Sequence, residues 1–225
     1  MSECTICRDY IRENCLVWLS QCMCSRESER SAFIALMEDD SESFHRVLHS
    51  PHALQAVLES SYHNGSVDFH ISSYIGISRL LLQRGVDSAS LADYLTAMLG
   101  KFLFEVDWAS TEFSKPTIYV HRISEAISSE QKSGDISAAL KLEIHLANYC
   151  LFVSSVMFRT LGSLELGLSE DDRGEIISNL AGMAQKRFMS ASFVDKAIPS
   201  VYSTIFERFE EVYDTLYCFV DSPFA

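Results

Sequence analysis

Apolar residues recur along this chain at three- and four-residue intervals, the spacing that lines up one face of an α-helix. Cys4, Cys7, Ile11, Cys15, Trp18 and Cys22 begin the pattern and predict a helix over residues 5–23. Ser28 can cap a second helix carrying Phe33, Ile34 and Met37, and a third starts near Ser41 with Phe44, Val47 and Leu48. Pro51 restarts the chain ahead of Leu54, Val57 and Leu58. Beyond Asn64-Gly65, residues 67–84 form a strong helix with Ile71, Tyr74, Ile75, Leu81 and Leu82 on its core side, closed by Gly85. Ser72, Ser73 and Gly76 keep one of its faces small, which lets a neighbouring helix approach closely. Asp87 and Ser88 then introduce the stripe Leu91, Tyr94, Leu95, Met98, Leu99 and Phe102. Pro116 starts a weaker helix with Ile118, His121, Ile123 and Ile127, which gives way to the polar run 128–135, the best candidate for a mobile connection. Asp135 caps the central helix, residues 162–173 read as a loop, and helices over 174–192 and 200–220 complete the chain. The last sets Ile205, Phe209, Val212, Leu216 and Phe219 against Glu207, Glu210, Glu211 and Asp214.

No stretch alternates with the period of a strand, and no repeat or low-complexity tract interrupts the series. The expectation is an all-α bundle of about eight to ten helices in a single domain, residues 1–225. Helices from 1–50 would pack on a core bundle formed by 51–225. At its centre stands 142–158, LEIHLANYCLFVSSVMF, apolar on nearly every side. Such a helix must be surrounded by protein or by lipid. The 17 residues between Lys141 and Arg159 span about 26 Å as a helix, short of a hydrocarbon layer of roughly 30 Å. Glu143, His145 and Asn148 interrupt them, and the neighbouring segments are half-apolar, as helices that cover a buried rod would be. Protein surroundings are the expectation.

The formal charge of −13 argues against nucleic acid and anionic lipid surfaces as general partners. The acidic tract Glu38, Asp39, Asp40 and Glu42 reads as a solvated helix start, with a cation site as the sharper alternative. The N-terminal stretch MSECTICRDYIREN has charges where a signal peptide needs an apolar core, so the seven cysteines are expected as reduced thiols in a cytoplasm.

Candidate chemistry is sparse. His45 and His49 stand i,i+4 and could share a metal ion with Glu42, whose Glu-x-x-His spacing to His45 is half of a helical di-iron motif. The plain alternative is solvated histidines at a helix end, with His52 beyond Pro51 on a separate segment. Cys4 and Cys7 with Cys22 and Cys24 could be assembled into a zinc site, but the helical stripe accounts for most of them as structural thiols. His145, Asn148 and Tyr149 are polar groups on a helix that should be buried, so they need partners, with His70 and Tyr74 as candidates. They form either a core network that fixes helix register or a pocket facing a small ligand or a haem iron. No phosphate loop, nucleophile elbow or Ser/His/Asp order can be assembled, so no catalytic residue is assigned and the cofactor is unknown.

Tyr74-Ile-Gly-Ile, Leu91-Ala-Asp-Tyr-Leu-Thr-Ala-Met-Leu and above all His145-Leu-Ala-Asn-Tyr-Cys-Leu-Phe resemble a group of uncharacterised helical bacterial proteins. The likeness runs from Pro51 to the end, with Ala147 where the group carries Gly and Cys150 where it carries Ala. The resemblance implies a soluble bacterial helical fold and carries no activity. The functional expectation is therefore a non-enzymatic module for protein–protein contact or scaffolding, most simply a homo-oligomer such as a homodimer. The alternative is a small-molecule, haem or metal-binding helical protein, including an oxidoreductase.

Overall fold

A computed structural model describes residues 13–48, 50–62, 69–106, 115–158 and 170–222. The described residues contain eleven α-helices, two π-helical turns and no strand. Their contacts group into two compact units, one formed by Met1–Gly100 with Cys218–Ala225 and the other by Lys101–Tyr217.

The first unit contains α1 (Glu13–Met23), α2 (Glu27–Asp39), α3 (Ser41–Leu48), α4 (Pro51–Tyr62), α5 (Phe69–Gln83) and α6 (Ala89–Gly100). Leu16 and Leu19 of α1 are buried, whereas Trp18 is half-buried and Cys22 exposed, so the buried face is not the Trp18–Cys22 stripe that the spacing predicts; α1 packs against α2 and α4 through the more apolar leucines. Residues 1–12, with Cys4 and Cys7, lie outside the described residues. Helix α2 starts at Glu27 rather than being capped by Ser28: the Glu29 carboxylate accepts from the Arg26 backbone N–H at 3.3 Å, and two acidic residues suit the positive end of the dipole. Ser50 caps α4 by accepting from the Ala53 N–H at 3.2 Å, ahead of Pro51 at the position where a missing N–H costs nothing. Helix α5 closes as its glycine predicts, with Gly85 at φ 73° and the Val86 N–H reaching back to the Leu81 carbonyl at 2.9 Å. Helix α6 is buried on nearly all sides and packs on α5. Gly100 is required there by a close approach: a Cβ at this position would sit 2.7 Å from Nε2 of His70.

The second unit begins with the π turn Lys101–Glu105, followed by α7 (Pro116–Ser133), α8 (Ile136–Phe152) and the π turn Val153–Met157. Helices α9 (Glu170–Val194), α10 (Pro199–Glu207) and α11 (Phe209–Phe219) come next, the end of α11 running past the unit. The polar run from Ser128, expected as a mobile connection, is helical as far as Ser133. Hydroxyls of Ser128 and Ser133 bond back to the Ser124 and Glu130 carbonyls, and Gly134 at φ 83° stops the helix. Asp135 then caps α8, accepting from the Ala138 N–H at 2.9 Å. The expected single C-terminal helix is two, because Arg208 leaves helical geometry at φ −117°, ψ 37°. Its guanidinium bonds Glu211 at 2.8 Å in the acidic first turn of α11.

The central segment differs from the uniformly buried rod expected. Apart from the buried Ala139, the start of α8 is exposed or half-exposed, and only from Leu146 onward is it mostly sealed, with Asn148 the half-buried exception. Within the sealed part the helix widens into its π turn. Ser154 and Ser155 explain how the interior tolerates this, since their hydroxyls donate to the Cys150 and Leu151 carbonyls at 2.7 and 2.6 Å. The Ser154 carbonyl in turn accepts from the Tyr213 hydroxyl at 2.7 Å. Among the described residues, Ile136–Met157 is the one helical stretch long and apolar enough to cross a membrane, with a mean hydropathy of 1.3 and 44% of that window buried.

Candidate functional site

The α7–α8 hairpin brings Tyr119 onto His145, with the phenol oxygen and Nε2 2.6 Å apart. Burial holds the imidazole below its ordinary pKa, and the nearby Lys101 adds to the effect. In the neutral ring, the phenol donates to Nε2 when the proton sits on the other nitrogen. The Tyr119 and Tyr149 rings lie 4.3 Å apart between centroids, and Phe102 stacks on Phe152 at 5.0 Å with His145 6.0 Å away. Burial, then Cys150 and Tyr119, pushes the Tyr149 phenol well above its usual range. The result is a set of uncharged, mutually packed rings in which Nε2 already has a partner. Binding an iron through that nitrogen would first have to displace Tyr119.

A second interaction crosses from α8 to α9, where the Arg187 guanidinium pairs with the Glu143 carboxylate and reaches Ser124 of α7 at 3.4 Å. With side chains only 19% and 22% exposed, this pair lies largely away from water. The Cys150 thiol faces Met183 across 3.8 Å, and burial pushes it up to about 12 even with Arg187 nearby. A thiol held that high is protonated at physiological pH and a poor nucleophile. In the sequence Glu143 stands out as an interruption, but its partner does not. The available signal was chemical: a carboxylate on an apolar helix requires a cation.

The other candidate residues are spread along the chain. Asn148 is half-buried beside this cluster in sequence. His70 and Tyr74 belong to the first unit, where His70 meets the edge of Phe69 at 5.7 Å and Tyr74 is fully buried. Glu42 and His45 fall on α3 with side chains outside the described residues, and His49 lies wholly outside them. Cys22 is exposed and Cys24 half-exposed. Among the described residues no three His, Cys, Asp or Glu side chains gather as a metal site.

The surface of the second unit is more distinctive than its interior. Phe193 is 84% exposed, Ile136 59% and Val194 50%, with Met189 exposed one turn before Phe193. The pairs Glu143–Arg187 and Cys150–Met183 show α8 and α9 running antiparallel. Counting seven residues outward from Glu143 and Arg187 brings Ile136 level with Val194, so these apolar groups share one end of the unit. An open groove of about 530 Å³ lies elsewhere on the unit, between small residues of α9 such as Ser178 and Gly182 and the Glu210, Tyr213 and Asp214 side of α11. No family model, curated protein or solved structure matches the chain.

Proposed function

We propose that this chain is a soluble, non-enzymatic cytoplasmic module of the bacterial helical type it resembles, acting through protein–protein contact as a homo-oligomer. The observation that carries the reading is the unpartnered apolar end made by Ile136, Met189, Phe193 and Val194. A phenylalanine left in water forfeits on the order of 2 kcal/mol that burial would return, so several together favour contact with another surface. Charge favours a second copy at this end. The exposed Lys132, Lys141 and Lys196 are matched by Glu130, Asp135 and Asp195, so this end is close to neutral on a chain of −13. Two copies meeting there avoid the repulsion that most of the acidic surface would impose. A patch shared by both copies is also what a two-fold interface requires.

Sedimentation velocity of the full chain in detergent-free buffer tests this. The expected result is a concentration-dependent dimer, with Phe193→Asp monomeric at the same loading and unchanged in helical circular dichroism. A wild-type chain that stays monomeric at every concentration, or that requires detergent to remain dispersed, would contradict the reading.

A further inference from the structure

The first unit contains a crevice unrelated to the apolar end. The C-terminus of α3, the start of α4 and one face of α5 leave a cavity of about 160 Å³. Its apolar walls are Leu48, Pro51, Leu54, Ile75 and Leu82, and Arg79 and Ser50 complete the lining. Ile75, Arg79 and Leu82 follow the i, i+4, i+7 spacing of one α5 face, so the arginine shares that face with the apolar wall. Arg79 is exposed and makes no ion pair or hydrogen bond among the described residues.

On a chain carrying 31 acidic side chains, an arginine lining an apolar crevice without a counter-ion is an unfilled half of an ion pair. Its planar fork matches a carboxylate through two parallel hydrogen bonds. The start of α4 adds the positive end of a 12-residue helix on the same side. A cavity of roughly 150 Å³ lined by aliphatic groups is large enough for one benzene-sized body. We infer that this crevice is a binding site for a short apolar monocarboxylate, whose hydrocarbon part lies against Leu48, Leu54, Ile75 and Leu82 while its carboxylate pairs with Arg79.

Benzoate is the probe, with benzyl alcohol and benzylamine as partners of matching bulk but without the anionic charge. Ligand-observed NMR and calorimetric titration on the full chain should show saturable benzoate binding at pH 7. Either control should bind about tenfold more weakly or worse, the loss expected when a charge-assisted bidentate pair is removed. Arg79→Gln, a substitution on an exposed side chain that leaves the core intact, should weaken benzoate by about the same factor. Leu82→Trp, which fills the mouth, should abolish binding. Both variants are checked for unchanged helical circular dichroism, and Arg79→Lys separates charge from fork geometry by restoring part of the affinity. Benzoate that fails to saturate the wild type at millimolar concentration, or that binds Arg79→Gln as well as the wild type, overturns the assignment. So does equal binding of benzoate and benzyl alcohol. None of these outcomes depends on whether the chain dimerises.

Discussion

The interior of the second unit and its far end treat side chains in opposite ways. Inside, most polar groups have been given partners: Tyr119 meets His145, Arg187 meets Glu143 although its Nε is left without an acceptor among the described residues, and the Ser154 and Ser155 hydroxyls meet backbone carbonyls one turn back. At the end near Ile136 and Val194, apolar groups have been left without them. A satisfied interior fixes register and stability. An unsatisfied exterior leaves surface free energy for association. The difference ties the polar residues on α8 to architecture, and the contact surface proposed above falls on residues that no motif marks.

The sharpest contrast is between two phenylalanines. Phe152→Ala empties a site that is 2% exposed and should cost about 3–5 kcal/mol in urea unfolding. Phe193→Ala should leave monomer stability within about 0.5 kcal/mol, with its effect confined to association. Comparable losses at both sites would mean that the apolar end is covered within the monomer. Glu143→Ala leaves a guanidinium in a largely buried place without its main partner and should destabilise by about 2 kcal/mol. Restoring neutrality with Glu143→Leu combined with Arg187→Met should recover much of that loss, since a buried pair contributes less than breaking it costs. Tyr119→Phe removes one hydrogen bond and keeps the ring stack, for about 1 kcal/mol.

The pH dependence of His145 gives a finer test. Its folded pKa is depressed, so below the ordinary value near 6.5 the unfolded chain binds more protons than the folded one. The contribution of this group to stability is therefore present above about pH 6.5 and lost as pH falls through the folded value. Thermal unfolding followed from pH 7.5 to 5 should show a steeper acid-side decline for the wild type than for His145→Gln. Parallel curves would show that His145 is not held neutral by its surroundings.

How much of this was legible in the sequence depends on the range of the interactions. Gly85, Pro116 and Asp135 act within one helical turn, and each marks the boundary its chemistry predicts. The polar run after Ser128 misled because serines that favour loops can also bond back to a preceding carbonyl within a helix. The break at Arg208 was missed because the apolar stripe from Ile205 to Phe219 runs straight through it, and an Arg–Glu pair three residues apart is as common within a helix as at its start. The candidate residues His145 and Tyr149 could be picked out as polar interruptions of an apolar helix. Tyr119, 26 residues from His145, and Arg187, 44 from Glu143, could not, because only the folded hairpins bring them close. The exposed end was hidden for the opposite reason. Phe193 and Val194 continue an amphipathic helix, and their exposure depends on where its neighbours stop.

Hydrogen–deuterium exchange on the full chain, compared between dilute and concentrated solution, tests where association occurs. The apolar end predicts that amides over 189–198 and 130–141 slow as concentration rises, while those of α5 stay unchanged. Exchange that is independent of concentration throughout, or protection that falls instead on the acidic face of α11, would contradict it.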